Sequence, residues 1–455
     1  MDFVERGWRN AVVFRAILLI KSVKNATFAP CRLKFLEKSG IIFLNRETRS
    51  IDGRSRREIL DWVFRKVLIM LKSLRNFFFV ALASASFVGA ASTSFVVAQN
   101  AEQKAAYVAP ALQEKDAWTM VVIPDPQAYS RYGRNQGIFE LMTAWIAENK
   151  DALAIRQVLC VGDLVESNGL QKADGKFANQ TGRQMWTSCS RAFERLDGVV
   201  PYVLCTGNHD YGPDIFPEGT HYGVRSSETR DSLFGEFFPM ERNPLWKDVV
   251  VECFPNAFGK KTLENAAYEF EGTGGQKILV VSLEFAPRPE TLEWAKALFA
   301  RPEYANHFGI VLTHSYLRPY TAGLERDVKE GYGLSKAGGA AGETIWQKLA
   351  QPSSNIRLVI CGHHSTADNM EGCCGFRVDK NAAGKTVSQL LFDTQAMGGG
   401  WEGNGGDGWL QLLEFSKDMK TVKVRTFSPL FAISPSTQAN AWNREKYCEF
   451  EFSIE

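Results

Sequence analysis

Five stretches of this chain pass from an apolar run almost directly into a side chain that can hold a metal ion. They are Asp125 after Val-Val-Ile-Pro, Asp163 after Leu-Cys-Val-Gly, and Asn208-His209-Asp210 after Leu-Cys-Thr-Gly. The other two are His314 after Ile-Val-Leu-Thr and His363-His364 after Val-Ile-Cys-Gly. Carboxylate, amide oxygen and imidazole nitrogen form a mixed N/O donor set that suits Zn, Mn or Fe. One Asp after a strand is usually a helix cap or turn residue. A lone His there is usually a hydrogen-bonded structural residue. Five such ends in one chain point instead to a shared site.

The elements that must position these residues follow from the apolar pattern. Residues 119–123, 157–161, 201–205, 277–283, 308–313 and 356–361 read as strands, and 135–149, 182–196, 289–300 and 342–350 as helices. Continuous apolar strands alternating with helices predict an α/β fold whose sheet is covered on both faces. In such sheets ligands bind outside the carboxyl ends of the strands, where residues from five ends can converge. The glycines before Asp163, Asn208 and His363 allow the backbone to turn sharply there. From about residue 385 the chain changes character. Residues 387–393, 408–415, 421–427 and 448–454 read as strands without helices between them, which predicts a second sheet packed on the first. Residues 211–265 read as a long, weakly periodic loop, a lid or substrate wall.

The order and wording of these motifs resemble the calcineurin-like metallophosphoesterase superfamily. The matching words are Asp125-Pro126-Gln127, Gly162-Asp163, Gly207-Asn208-His209-Asp210, Thr313-His314 and Gly362-His363-His364. The tail, Asp407-Gly408-Trp409-Leu410 leading to Val424-Arg425-Thr426-Phe427-Ser428-Pro429, looks like secreted bacterial members. The resemblance implies a four-layer αββα sandwich with two mixed sheets. It implies hydrolysis of a phosphomonoester or phosphodiester by attack of a metal-bound hydroxide, with one or two divalent ions (Mn, Zn, Fe or Mg). By the same resemblance Asp163 bridges two cations, and Asn208, His314 and His363 complete the second cation position. His209 contacts the phosphoryl group or protonates the leaving group, and Asp210 orients His209 or a neighbouring loop.

The first cation position departs from the family pattern. The usual Asp-x-His is Asp125-Pro126-Gln127, although Gln occurs here in one branch of the family. Ser365 stands where the closing Gly-His-x-His would supply a His. Asp125 and Asp163 remain, with Gln127 as a weak oxygen ligand that an extended backbone would point to the same side as Asp125. His364 could substitute through a local bulge. This position should take a hard ion such as Mn or Mg. The departures leave room for a rival reading, a non-catalytic or weakly active protein that binds a phosphorylated ligand.

Other residues are candidates for substrate contact: Asn208 and His209 at the centre, His221 in the long loop, and Tyr316 and Arg318 after His314. The glycine runs at 398–408 lack the Lys-Ser/Thr ending of a P-loop, and no Gly-x-Ser-x-Gly elbow is present. These absences argue against nucleotide cradling and against a serine hydrolase.

Charge is unevenly spread. Residues 1–69 carry about 15 Lys/Arg against about 7 Asp/Glu, whereas residues 99–455 carry about 36 against about 44. The acidic body predicts no nucleic-acid-binding face. The expected partner is a small-molecule or headgroup phosphate ester, with no obligate protein partner. Residues 70–98 open with Met70-Leu71-Lys72-Ser73-Leu74-Arg75, continue through an apolar run and end in small residues. That order reads as a secretory signal peptide cleaved after Ala98, or near Gly89-Ala90-Ala91, giving a secreted or periplasmic protein. The alternative is a membrane anchor through residues 76–98. Residues 1–69 then read as an extension that is not translated if synthesis starts at Met70, or as a cytoplasmic segment. Residues 99–116 read as a linker and 117–455 as the metallophosphoesterase domain. Cys160, Cys205 and Cys361 read as small buried hydrophobes, and Cys189, Cys253, Cys373, Cys374 and Cys448 as disulfide candidates. Sequencing the mature N-terminus should give a start near residue 99 or 100; an intact Met1 would overturn export.

Overall fold

A computed structural model describes residues 107–212, 229–329, 333–336 and 338–454, together with strands Lys34–Phe35 and Ile42–Phe43. The chain divides into two units, Met1–Gln99 and Asn100–Glu455. In the first, the two short strands pair antiparallel. The signal or anchor expectation for 70–98 lies outside the described residues. Among the described residues, no helix is long and apolar enough to cross a membrane.

The second unit is built on two seven-stranded mixed sheets. The first is founded on three parallel strands, β1 (Trp118–Ile123), β2 (Ile155–Cys160) and β3 (Tyr202–Leu204). The second contains β4 (Val250–Pro255), β5 (Lys261–Glu271), β6 (Lys277–Ser282), β7 (Phe308–Leu312), β8 (Ile356–Cys361), β9 (Cys374–Lys380) and β10 (Thr386–Phe392). Its order is β9-β10-β8-β7-β6-β5-β4, with β6, β7, β8 and β10 parallel at the centre. The chain then returns to the first sheet with β11 (Leu410–Phe415), β12 (Thr421–Phe427), β13 (Trp442–Asn443) and β14 (Phe450–Ser453). The first sheet runs β13-β12-β11-β1-β2-β3, with β14 also on β12.

The period of two along each strand sorts side chains between the layers. In β6, β7 and β8, Ile278, Val280, Ile310, Leu312, Leu358 and Ile360 belong to the core shared by the two sheets. The alternate residues Leu279, Val281, Val311, Val359 and Cys361 pack instead with Leu292, Ala295 and Leu298 of helix α3 (Pro289–Phe299). On the first sheet the covering helices are α1 (Gln136–Glu148) and α2 (Gly182–Glu194), through Phe139, Met142, Trp186 and Phe193. Helix α2 starts where the sequence dictates: the Thr181 hydroxyl and Gln184 side chain form a reciprocal capping box. Trp118 stacks on Phe415 at 4.4 Å and meets Phe270 of the opposite sheet edge-on at 5.9 Å. The four-layer αββα sandwich expected from the resemblance is the observed architecture.

Three expectations need correction. The tail does not make a sheet of its own. β10 extends the second sheet, whereas β11 and β12 add antiparallel to β1 in the first. The stretch 211–265 is not one loop either, because β4 and the start of β5 lie within it. Their alternation is masked by polar residues: Glu264 and Asn265 are buried in β5, where the Glu264 carboxylate accepts from Asn256 and the Asn265 Oδ1 accepts the Glu284 N–H. The disulfide expectation is also corrected, since all eight cysteines of the described residues are buried free thiols.

Glu414 of β11 pins the entry segment to the first sheet. Its carboxylate accepts the Gln113 and Glu114 backbone N–H groups and pairs with Arg425 of β12 at 2.7 Å. Both side chains are buried. Removing one partner strands a buried charge. Glu414→Ala should therefore lower unfolding stability by roughly 3–5 kcal/mol in urea titrations. A change below about 0.5 kcal/mol, typical of a surface substitution, would show that the pair has no structural role.

Candidate metal centre

The parallel strands deliver their following residues to one edge of the sandwich. Asp125 and Asp163 come from the ends of β1 and β2, and Asn208 follows β3 in the first sheet. His314 and His363 follow β7 and β8 in the second. The Asp163 carboxylate is the hub. Its Oδ1 accepts the His209 backbone N–H at 2.9 Å, and its Oδ2 lies 3.3 Å from His314 Nε2. His314 Nε2 is also 3.2 Å from Asn208 Oδ1 and 3.1 Å from His363 Nδ1. Ligand atoms of Asp163, His314 and His363 all fall within 4.8 Å of one another.

Local backbone geometry is bent to this purpose. Asp163 and His363 have φ of 50° and 74°, left-handed values that cost a non-glycine residue roughly 1–3 kcal/mol each. The preceding glycines serve two different needs. Gly162 makes the turn at φ 103°, as expected from sequence. Gly207 and Gly362 are instead required for space: a Cβ on Gly207 would stand 2.0 Å from Asp163 Oδ1, and one on Gly362 would stand 2.1 Å from Asp125 Oδ1.

The donor chemistry fits a divalent cation. His314 Nδ1 donates to the Val161 carbonyl at 2.8 Å, which fixes the tautomer and leaves the Nε2 lone pair facing Asp163, Asn208 and His363. Two ring nitrogens 3.1 Å apart beside a carboxylate need a proton or a cation among them. The acidity of the buried groups follows the same logic. Burial works against the His314 charge, but Asp163 and Asp125 outweigh it and push its pKa up to about 10. Burial alone would raise the Asp163 carboxyl; the charges of His314 and His209 hold it well below the usual range. At Asp125, burial and then the neighbouring Asp393 push the pKa well up, and the charge of His314 and the His363 N–H do not offset them. Asp125 also accepts the His363 backbone N–H, at 3.3 and 3.0 Å to its two oxygens.

At the first cation position, Gln127 is fully buried beside Asp163 in the wall of a cleft of about 490 Å³. It opens a short helix, Gln127–Arg131, rather than continuing an extended strand. Its Oε1 has no hydrogen-bond donor among the described residues, an orphaned oxygen of the kind a cation would satisfy. Ser365 also lines the cleft, with its hydroxyl 3.2 Å from the Cys373 thiol and accepting the Ala396 N–H at 3.2 Å. His364 does not replace the missing His. Its Nε2 is 2.6 Å from Asp327 Oδ2, turned away as a neighbour of His363 should be.

The substrate-side residues divide. His209 lines the cleft, its Nδ1 2.7 Å from the Glu166 carbonyl and its Nε2 4.0 Å from Asp163 Oδ2. Burial opposes its protonation, but Asp163 and Glu166 raise its pKa. Asp210 stands away from the cleft wall, among the backbone of the neighbouring loops. It is fully buried, and its oxygens accept the Val165 and Gly207 N–H groups at 3.0 and 2.8 Å. Burial and Asp163 push its pKa up to about 7. Arg318 is not brought to the cleft wall, because Asp327 holds its guanidinium at 2.8 Å. Tyr316 is buried and donates to Gln389. His221 lies outside the described residues.

Sequence reasoning missed Asp393, Gln395 and Trp401. Asp393 follows Leu390-Leu391-Phe392 of β10 as directly as the other ligands follow their strands, and that pattern could have found it. It is fully buried, and burial raises its pKa to about 6 despite hydrogen bonds from Gln395.

The sandwich and the donor groups at its strand ends agree with the metallophosphoesterase resemblance read from the motifs. Residues 119–365 match the family model described as calcineurin-like phosphoesterase, and the chain belongs to that family. The chain is 25% identical over 322 residues to an uncharacterised protein of Bacillus subtilis (strain 168), YvnB, covering 69% of this chain. The chain spans only 20% of that relative's length. Among solved structures it is similar to a dimetal phosphatase from Danio rerio at 10% identity and a TM-score of 0.39, covering 74% of this chain and 99% of that one. It is also similar to GAP50, the anchor in the inner membrane complex of Plasmodium, at 10% identity and a TM-score of 0.34, covering 75% and 90%.

The glycine contacts give a direct test. Gly207→Ala should weaken binding of the tightest Mn²⁺ by about ten-fold or more, read by calorimetry, because the methyl displaces Asp163. Gly137→Ala in α1, where a Cβ meets nothing within 4 Å, should leave metal binding unchanged. Equal affinity in both variants would contradict the crowding at Asp163.

Proposed function

We propose that this chain hydrolyses a small-molecule or headgroup phosphate ester, mono- or diester, with one or two divalent cations from among Mn, Zn, Fe and Mg. The observation that carries the reading is the convergence of Asp163, Asn208, His314 and His363 on one point in the cleft. Asp163, Asn208, His314 and His363 would hold one cation; Asp125, Asp163 and Gln127 would hold the other. Bound there, the cations supply Lewis acidity toward a phosphoryl oxygen and lower the pKa of water.

The chain's own groups account for the rest. The cleft wall carries no Lys or Arg among the described residues, so an incoming phosphate relies on the centre itself and on His209 for positive charge. His209 is anchored through Nδ1, which leaves Nε2 as the end available to substrate. With its pKa raised, it can hold a proton near neutral pH and deliver it to the leaving oxygen. Asp210 ties the Gly207 turn to the loop after β2 and so keeps His209 beside Asp163. Action outside the cell, in a secreted or periplasmic protein or one anchored through residues 76–98, rests on the pattern of residues 70–98.

The rival reading, a phosphate-ligand binder without turnover, is favoured by Ser365, which stands in the place of a family ligand. A substrate panel with Mn, Zn, Mg and Ca decides between them. Asp163→Ala should abolish hydrolysis of a chromogenic phosphodiester. His209→Ala should lower kcat by roughly 10²–10⁴-fold with bound metal unchanged. Metal binding without turnover on any ester would favour the binder, and unchanged hydrolysis by Asp163→Ala would overturn the mechanism.

A further inference from the structure

Gln127 poses a problem that a histidine would not. A primary amide is nearly the same shape either way round, and only one end is a ligand. The residues behind it resolve the ambiguity. Gln395 Nε2 donates to Asp393 Oδ2 at 2.7 Å, and the Gln395 backbone N–H donates to Asp393 Oδ1 at 3.0 Å. On its other side Gln395 Oε1 accepts the indole N–H of Trp401 at 3.2 Å. An indole nitrogen can only donate and a carboxylate only accept, so Gln395 has one permitted orientation. Gln395 Oε1 therefore faces Gln127 at 2.9 Å, and Gln127 must present its Nε2 there. The Gln127 oxygen is left as the opposite end, buried and without a donor.

We infer that Asp393, Gln395 and Trp401 are positioning residues that lock the Gln127 amide with its oxygen toward the cation position of Asp125 and Asp163. The inference rests on the metal-dependent reading above and concerns one of its two positions. It also accounts for a buried carboxylate at 393 with no role in the other position. Its two oxygens are occupied by Gln395, so Asp393 acts through the amides and not as a ligand.

The test is Mn²⁺ titration of the full chain by calorimetry, with bound metal counted by elemental analysis. Wild-type protein should take two equivalents. Gln395→Ala should keep the first and weaken the second by about ten-fold or more, the usual effect of removing an outer partner of a ligand. A carboxylate offers oxygen on either side and needs no orienting. The double variant Gln127→Glu with Gln395→Ala should therefore regain the second equivalent. Such rescue would not follow if Gln395 served only to fill space. Two equivalents at wild-type affinity in Gln395→Ala, loss of both, or failure of the rescue would each overturn the inference. A wild-type protein with one equivalent would also overturn it while leaving the metal centre intact. A wild-type protein with none would sink the functional reading itself.

Discussion

Everything at the functional edge depends on keeping the Asp163 carboxylate charged in a buried place. An isolated carboxylate would be neutralised there by proton uptake. Here one oxygen takes a backbone N–H and the other faces His314, and the nearby imidazoles hold the group ionised. The requirement reaches outward. It forces a glycine at 207, where no Cβ fits, and a left-handed backbone at Asp163 itself. It needs β2 and β7, which belong to different sheets, to end at the same height. The two sheets must therefore stack with their parallel strands aligned, and the shared core between them fixes that alignment.

How much of this was legible follows from the kind of signal each part emits. Parallel strands buried on both faces read as unbroken apolar runs, so the change to Asp, Asn or His at their ends stands out. That is why Asp163, Asn208, His314 and His363 group together from the sequence alone. Strands whose burial depends on satisfied polar groups do not read so clearly. β5 carries buried Glu264 and Asn265 near its start, and polar residues at the start of a strand read like loop. Sheet membership of the tail was equally hidden. β11 pairs with β1 across about 290 residues of chain, and no local pattern encodes a partner so far away. Asp393 follows an apolar strand in the same way, but it lies outside the motif words that carry the family resemblance.

Asp210 and Arg318 stand close in sequence to the candidate ligands Asn208 and His314. Asp210 accepts two backbone N–H groups and so orients the loop after β2, whereas Arg318 directs its Nε to Asp327 and not to the cleft wall. A neighbouring residue on a turn points elsewhere, and His364 beside His363 makes the same point. Residue type and proximity in sequence nominate a group; only its remaining hydrogen-bonding capacity says whether it is available.

That criterion also separates the two cation positions. One is assembled from groups fixed by the backbone: His314 is pinned by the Val161 carbonyl, and Asp163 and His363 are set by their own φ values. The other depends on Gln127, a side chain with three rotatable bonds whose free ordering costs on the order of 1.5–2 kcal/mol. A histidine at that place would lose less rotamer freedom. The chain from Asp393 through Gln395 to Gln127 meets this cost during folding, with buried hydrogen bonds that exist before any ion arrives. The position that departs from the family pattern is thus the one with added scaffolding behind it.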